Sequence, residues 1–395
     1  MAVREKTIEN SSKHALGSGH IRTLDGWRTI AVGGVIWYHA SQTSIRPLQG
    51  LQDFGIEGVS LFFAISGILI CSRLLEEQRA NGRISLAGFY IRRICRIQPA
   101  GILYLLVLAV LAAIGLLHFS WWGWISALFS YRNLYAAAGG GKLADDRYAA
   151  HFWSLAVEEH FYLFLPVLMA ITKRRIVPVL MFVTSLSLIW PPIVHRVKAL
   201  QTPEMGWRTD MVVQSLLMAA FLAVLLTVPR ARKILTHFTS RGLVILFTVC
   251  ALLVSAVLLK GYFVSQVCLF CFPLTVISTT LHPENWLGRL LETRLFATLG
   301  KMSYSLYLWQ QLFFERAEFP FAPYPLHYLQ IWPWNLAALL LCATSSYYLI
   351  EKPFIRLGHR LAPPATSGRD DLHEHLRSPR AGLRTSRNAI ESGKC

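Results

Sequence analysis

Ile176–Val194 reads IVPVLMFVTSLSLIWPPIV, nineteen residues without a charge among them. Wound as a helix at 1.5 Å per residue, the segment is about 28 Å long, enough to cross the roughly 30 Å of hydrocarbon in a bilayer. Gly101–Leu117, Met211–Val228, Leu243–Leu259 and Trp334–Ile350 are similar apolar stretches. Over all 395 residues, 54% are hydrophobic and only 15% are charged, where a soluble domain carries about 25% charged residues. A soluble globular protein is therefore excluded, and an all-α, polytopic membrane protein is predicted.

The spans expected are 27–45, 54–72, 99–117, 153–171, 176–194, 211–228, 243–259, 262–281, 296–314 and 332–350, about ten transmembrane helices. Trp121–Ala138 holds Trp121, Trp122 and Trp124 at one end and Arg132 and Asn133 inside, which suits one extra interfacial or re-entrant helix better than a crossing. Charge placement agrees. With this segment not crossing and the N-terminus cytoplasmic, 29 of the 39 Lys and Arg residues lie on the inner side, nine on the outer, and Lys301 within a span. A crossing there would turn 18 of the inner ones outward, against the positive-inside rule. Both termini are thus expected in the cytoplasm. The net charge of +17 orients the chain in the bilayer, and no basic stripe interleaved with aromatics points to nucleic acid as a partner.

Residues 1–26 read as a cytoplasmic segment without signal-peptide features, so the first span is expected to act as the membrane signal. Residues 27–354 form the transmembrane domain, and 355–395, rich in Pro, Ser, Gly and Arg towards the end, read as a disordered basic cytoplasmic tail. Most of the seven cysteines lie in apolar stretches and read as small buried hydrophobes, including the Cys268–Cys271 pair. No metal site is expected, and no internal repeat of the transporter kind is present.

An ionisable residue inside a span is costly and so a functional candidate. His39 follows Arg28 by eleven positions, about 16 Å along a helix. Phe152–Tyr162 reads FWSLAVEEHFY; Glu158 lies about 8 Å along the helix from Trp153, so it meets His39 at similar depth if the two helices are neighbours, as a carboxylate that orients an imidazole base. Glu159 reads as reaching out to water. Arg92, Arg93 and Arg96 precede the third span on the cytoplasmic side, and the pair three apart shares a helix face. They are either topology anchors or a phosphate site. Gly55, Gly58, Ser66 and Gly67 allow close helix approach or a narrow channel.

Six ordered fragments resemble the acyltransferase family 3 integral-membrane proteins, which O-acylate surface polysaccharides, lipids and some small metabolites. They are Leu24-Asp25-Gly26-Trp27-Arg28 with His39; Gly58-Val59 through Phe62-Phe63 to Ser66-Gly67; Arg92-Arg93 with Arg96 and Pro99; Trp153-Ser154-Leu155 with Glu158 and Phe161-Tyr162; Leu299-Gly300 with Ser303 to Trp309; and Glu351-Lys352-Pro353-Phe354. The resemblance implies that His39 with Arg28 is the catalytic pair, that Arg93 and Arg96 hold acyl-coenzyme A, and that Glu158 supports the site. Two departures stand out: Gln310 where a histidine is common and His160 where a glutamine is common. The resemblance implies that both positions are ones that can touch the acceptor, so it leaves the acceptor's identity open. The tail carries no hydrolase-like domain of the kind some relatives append, so transfer is expected to need no second catalytic domain on this polypeptide.

The expected function is that of a bacterial inner-membrane O-acyltransferase. It would move an acyl group, acetyl in the expected case, from cytoplasmic acyl-coenzyme A to a hydroxyl of a carbohydrate or lipid-linked sugar, with no permanently bound cofactor. The rival is a transporter or flippase using the same His, Glu and Arg as a proton or substrate relay.

Overall fold

The computed structural model describes residues 21–43, 52–117, 120–140, 147–202, 205–240, 243–258, 262–315 and 328–363. Among these residues there is no strand. The helices are α1 (Arg22–Thr43), α2 (Gln52–Asn81), α3 (Leu86–Ala113), α4 (Trp121–Leu128), α5 (Arg132–Ala137), α6 (Phe152–Thr172), α7 (Ile176–Arg196), α8 (Thr209–Val212) and α9 (Gln214–Leu225). They continue as α10 (Pro229–Ser240), α11 (Leu243–Leu258), α12 (Tyr262–Leu281), α13 (Trp286–Leu291), α14 (Arg294–Lys301), α15 (Ser303–Phe314), α16 (Trp334–Ser346) and α17 (Lys352–Leu361).

Four stretches among the described residues are long and apolar enough to cross a membrane: Glu57–Asn81 within α2, Leu86–Ala113, Arg147–Thr172 and Ile176–Arg196. A fifth is reached if Gln214–Leu225 and Pro229–Thr239, bent by 109°, count as one. The ten spans expected from sequence all overlap helices, but several are interrupted. Residues 296–314 divide at Met302, 211–228 at Val213, and 332–350 run into a π-helical turn, Tyr347–Glu351. Breaks of this kind survive at membrane depth where neighbouring protein satisfies the freed backbone groups. Trp121–Ala138 forms two short helices separated at Ser130, whose φ is 56°; eight residues reach only about 12 Å, so neither crosses.

The centre of the bundle is α2. Its apolar span is 61% buried, against 22% for α7 at the periphery. Glycine sets the approach of its neighbours: a Cβ on Gly58 would lie 2.5 Å from the Ala31 carbonyl oxygen of α1, and one on Gly67 would overlap the Leu216 carbonyl oxygen of α9. These small residues therefore serve helix packing. Phe63, Leu74, Val157, Leu165, Leu180, Leu216 and Ala220 bring α2, α6, α7 and α9 into one core. Trp27, Ile65, Val276 and Leu291 tie α1 and α2 to α12 and α13, and Val35, Tyr104, Leu308 and Leu339 tie α1 to α3, α15 and α16. The outer faces are apolar too. Ile102, Leu106 and Val110 form an exposed stripe on α3, and Phe182, Leu186 and Ile189 form another on α7, surfaces that suit lipid and not water. The protein is a helical membrane protein.

Two boundaries move. The N-terminal segment drawn to residue 26 ends inside α1, which starts at Arg22. The tail expected from 355 gives way to α17, because Pro353 occupies a first-turn position that tolerates its missing N–H. Gly358 then seats against Cys95 of α3, and Arg92 donates to the Ala362 carbonyl at 3.2 Å. Residues 364–395 of that tail lie outside the described residues, as do 1–20.

Candidate active site

Residues of α1, α2, α3, α6 and α15 line an open-sided cleft of about 780 Å³. Its charged lining consists of Arg28, Arg93, Arg96, Glu158 and Glu159. The i, i+3 spacing turns Arg93 and Arg96 together into the cleft and leaves Arg92 on another face of α3, where it pairs with Glu77 at 3.2 Å. The two roles that the sequence allows this cluster thus divide by residue: Arg92 is a structural tie, while Arg93 and Arg96 line the cleft. The Arg93 guanidinium stacks over the Tyr162 ring at 4.5 Å and the Phe89 ring at 5.7 Å. Among the described residues neither Arg93 nor Arg96 donates a hydrogen bond to another protein group. Arg28, tied to Asp25 at 3.3 Å, lies within electrostatic reach of both.

Carboxylates face this cationic group. Glu158 accepts hydrogen bonds from Ser66 at 3.0 Å and from Tyr162 at 2.8 Å, and Arg93 and Arg28 are the charges nearest in effect. Because Tyr162 follows Glu158 by one helical turn, both point from α6 to Ser66 of α2. The pairing of Glu158 with His39 expected from sequence is replaced by this hydroxyl cradle. Glu159, expected to reach water, lines the cleft and faces Arg93.

Two further groups, quoted among the sequence fragments, had no role read for them there. The π-helical turn buries Glu351, which accepts from Ser305 at 2.9 Å and faces Arg96 and Arg28; its place before Lys352-Pro353 was visible, its direction was not. At another part of the cleft wall, Ser154 Oγ and Tyr307 Oη are hydrogen-bonded at 2.6 Å, and the carbonyl of His151, 3.1 and 3.3 Å from them, accepts from whichever of the two does not donate to the other. An imidazole beside an aromatic and not beside a carboxylate gave no motif signal for His151.

His39 is half-buried on α1, edge-on to Tyr38. It does not line the cleft but lies within electrostatic reach of His151. Eleven residues are just over three full turns, so His39 and Arg28 occupy one face of α1, about 16 Å apart. Arg28, Arg93, Arg96 and Glu158 are thus brought together, with His39 three turns along α1 from them. His160 bonds Thr209 at 2.8 Å, and Gln310, fully buried, donates to Gln311 at 3.1 Å. Chemically, the cleft offers unspent guanidinium donors for an anion and, farther along α1, an imidazole able to move a proton.

Comparison with known proteins places the chain in a family. A Staphylococcus aureus (strain COL) protein provisionally named an O-acetyltransferase is 29% identical over 376 residues, 86% of this chain and 58% of that relative. O-acetyltransferase OatA of Staphylococcus aureus (strain NCTC 8325 / PS 47) is 28% identical over 370 residues, 85% of this chain and 57% of OatA. The chain spans less than three fifths of the length of these relatives. No solved structure matches. The family model described as an acyltransferase domain matches residues 21–351, so the chain belongs to that acyltransferase family.

Proposed function

We propose that this protein is an integral-membrane O-acyltransferase. It takes an acyl group, acetyl in the first instance, from acyl-coenzyme A on the cytoplasmic side and transfers it to a hydroxyl of a carbohydrate or lipid-linked sugar. The observation that carries this reading is the pair of cleft-lining guanidiniums, Arg93 and Arg96, with no protein acceptor among the described residues. Planar guanidinium forks suit phosphate oxygens, and coenzyme A is a polyphosphorylated carrier. The names of the relatives support acetyl as the group moved.

In this reading Arg93 and Arg96 anchor the donor's phosphates, with Arg28 as a third positive charge. Glu158 and Glu351 hold that cluster in place against its own repulsion. The thioester is led along α1 towards His39. His39 removes the acceptor hydroxyl's proton as the oxygen attacks the thioester carbonyl; the new C–O bond forms, the C–S bond breaks, and the proton passes to the departing thiolate. A thioester is already activated, so positioning and one proton acceptor suffice.

We place the protein in a bacterial inner membrane, with ten crossings and both termini cytoplasmic. That topology counts the interrupted helices as spans and rests on the asymmetry of Lys and Arg. The test is incubation of purified protein with radiolabelled acetyl-coenzyme A and a panel of methyl glucoside, N-acetylglucosamine and their oligomers. Label appearing covalently on a glycan supports the enzyme. Translocation of a glycan without label transfer would instead favour a transporter or flippase.

A further inference from the structure

The His151 ring is 4% exposed and sits among Tyr104, Phe152 and Tyr307, with ring centroids 5.3, 4.9 and 5.6 Å away. Neither of its nitrogens has a hydrogen-bond partner among the described residues. Trp309 Nε1, in the same core and edge-on to the same Tyr104 ring, is buried and unpaired as well. Buried polar groups are nearly always paired, so the two unpaired His151 nitrogens and the unpaired Trp309 indole, on either side of the Tyr104 ring's contacts, mark a position that a ligand completes. A neutral imidazole offers one donor and one acceptor, and an indole a donor. Together they match hydroxyl groups, which both donate and accept. They do not match a phosphate, which would call for cations. Position agrees with this chemistry. His151 lies within electrostatic reach of His39, and its backbone carbonyl accepts a hydrogen bond from the cleft-wall Ser154–Tyr307 hydroxyl pair.

We propose that His151 binds a hydroxyl of the acceptor beside His39, so that the donor and acceptor sites meet at the His39–His151 pair. This rests on the acyl-transfer reading above. It makes His151 an acceptor-binding residue, distinct from the arginines that hold the donor.

The test uses radiolabelled acetyl-coenzyme A and, as acceptor probe, whichever glycan of the panel wild-type protein labels fastest. His151→Phe fills the aromatic cage without hydrogen bonds, and His151→Gln restores a donor and an acceptor. The Phe variant should lose at least about tenfold in kcat/KM for the glycan while its Kd for acetyl-coenzyme A stays within about twofold of wild type, and the Gln variant should recover part of the loss. Wild-type kcat/KM for the glycan in His151→Phe, with His39→Ala inactive, would overturn the proposal and leave the acyltransferase intact. Parallel loss of donor affinity in both His151 variants would mark the residue as packing and overturn it equally. Full activity in His39→Ala, or no labelled glycan with wild type, would overturn the underlying reading first.

Discussion

Replacing Arg93 and Arg96 together with alanine should remove the donor's anchor while leaving the bundle folded. Each guanidinium lines the cleft and has no hydrogen bond to another protein group among the described residues, so a bound phosphate is the partner it would lose. A hydrogen bond to a charged group contributes about 1.5–3 kcal/mol, and two neighbouring ones add imperfectly, giving about 2–5 kcal/mol for the pair. At 1.4 kcal/mol per tenfold, the Kd for acetyl-coenzyme A should rise by about 30- to 4000-fold. The open side of the cleft admits water and favours the lower end. Lysine at both positions should recover only part, because an ammonium keeps the charge and loses the planar fork. Arg92→Ala is the control: its guanidinium is spent on Glu77 and the Ala362 carbonyl, so it should lower stability and leave donor affinity within about twofold. Calorimetric titration of detergent-purified protein at fixed ionic strength reads all three, salt being held constant because it screens such contacts. Unchanged affinity in the double alanine variant, or an equal loss in Arg92→Ala, would refute the assignment of the cleft to the donor.

Other expectations follow from the same geometry. His39→Ala should lower acyl transfer by about 100- to 10,000-fold, the usual contribution of a general base, with membrane insertion unchanged by fractionation; His39→Gln should be almost as inactive, since an amide accepts no proton at neutral pH. In a background lacking the native cysteines, Arg175→Cys should react with an impermeant thiol reagent only after the membrane is opened, and Lys198→Cys should react from outside; the reverse pattern would invert the proposed topology from α7 onward. Gly300→Ala would drive a Cβ into the Asp25 carbonyl, so α14 and α1 must part, at a cost of about 1–3 kcal/mol or more, visible as a lower thermal midpoint in detergent.

Length and polarity along the chain determined the membrane class, the rough position of the long apolar helices among the described residues and the sidedness proposed from Lys and Arg, because partition into hydrocarbon is a sum over residues and needs no knowledge of neighbours. The shared face of Arg93 and Arg96 was legible for a similar reason, as helical spacing is local. What tertiary structure alone decided is which groups meet. Glu158 turned to Ser66 and Tyr162 and not to His39, Glu159 turned into the cleft, the break at Met302 and the π-helical turn directed Ser305 and Glu351 to each other, and His151 came to lie near His39. These outcomes depend on how far and at what rotation two helices approach, set here by contacts such as Gly58 on Ala31 and Gly67 on Leu216. Such contacts join residues far apart in the chain, where periodicity carries no information about the partner.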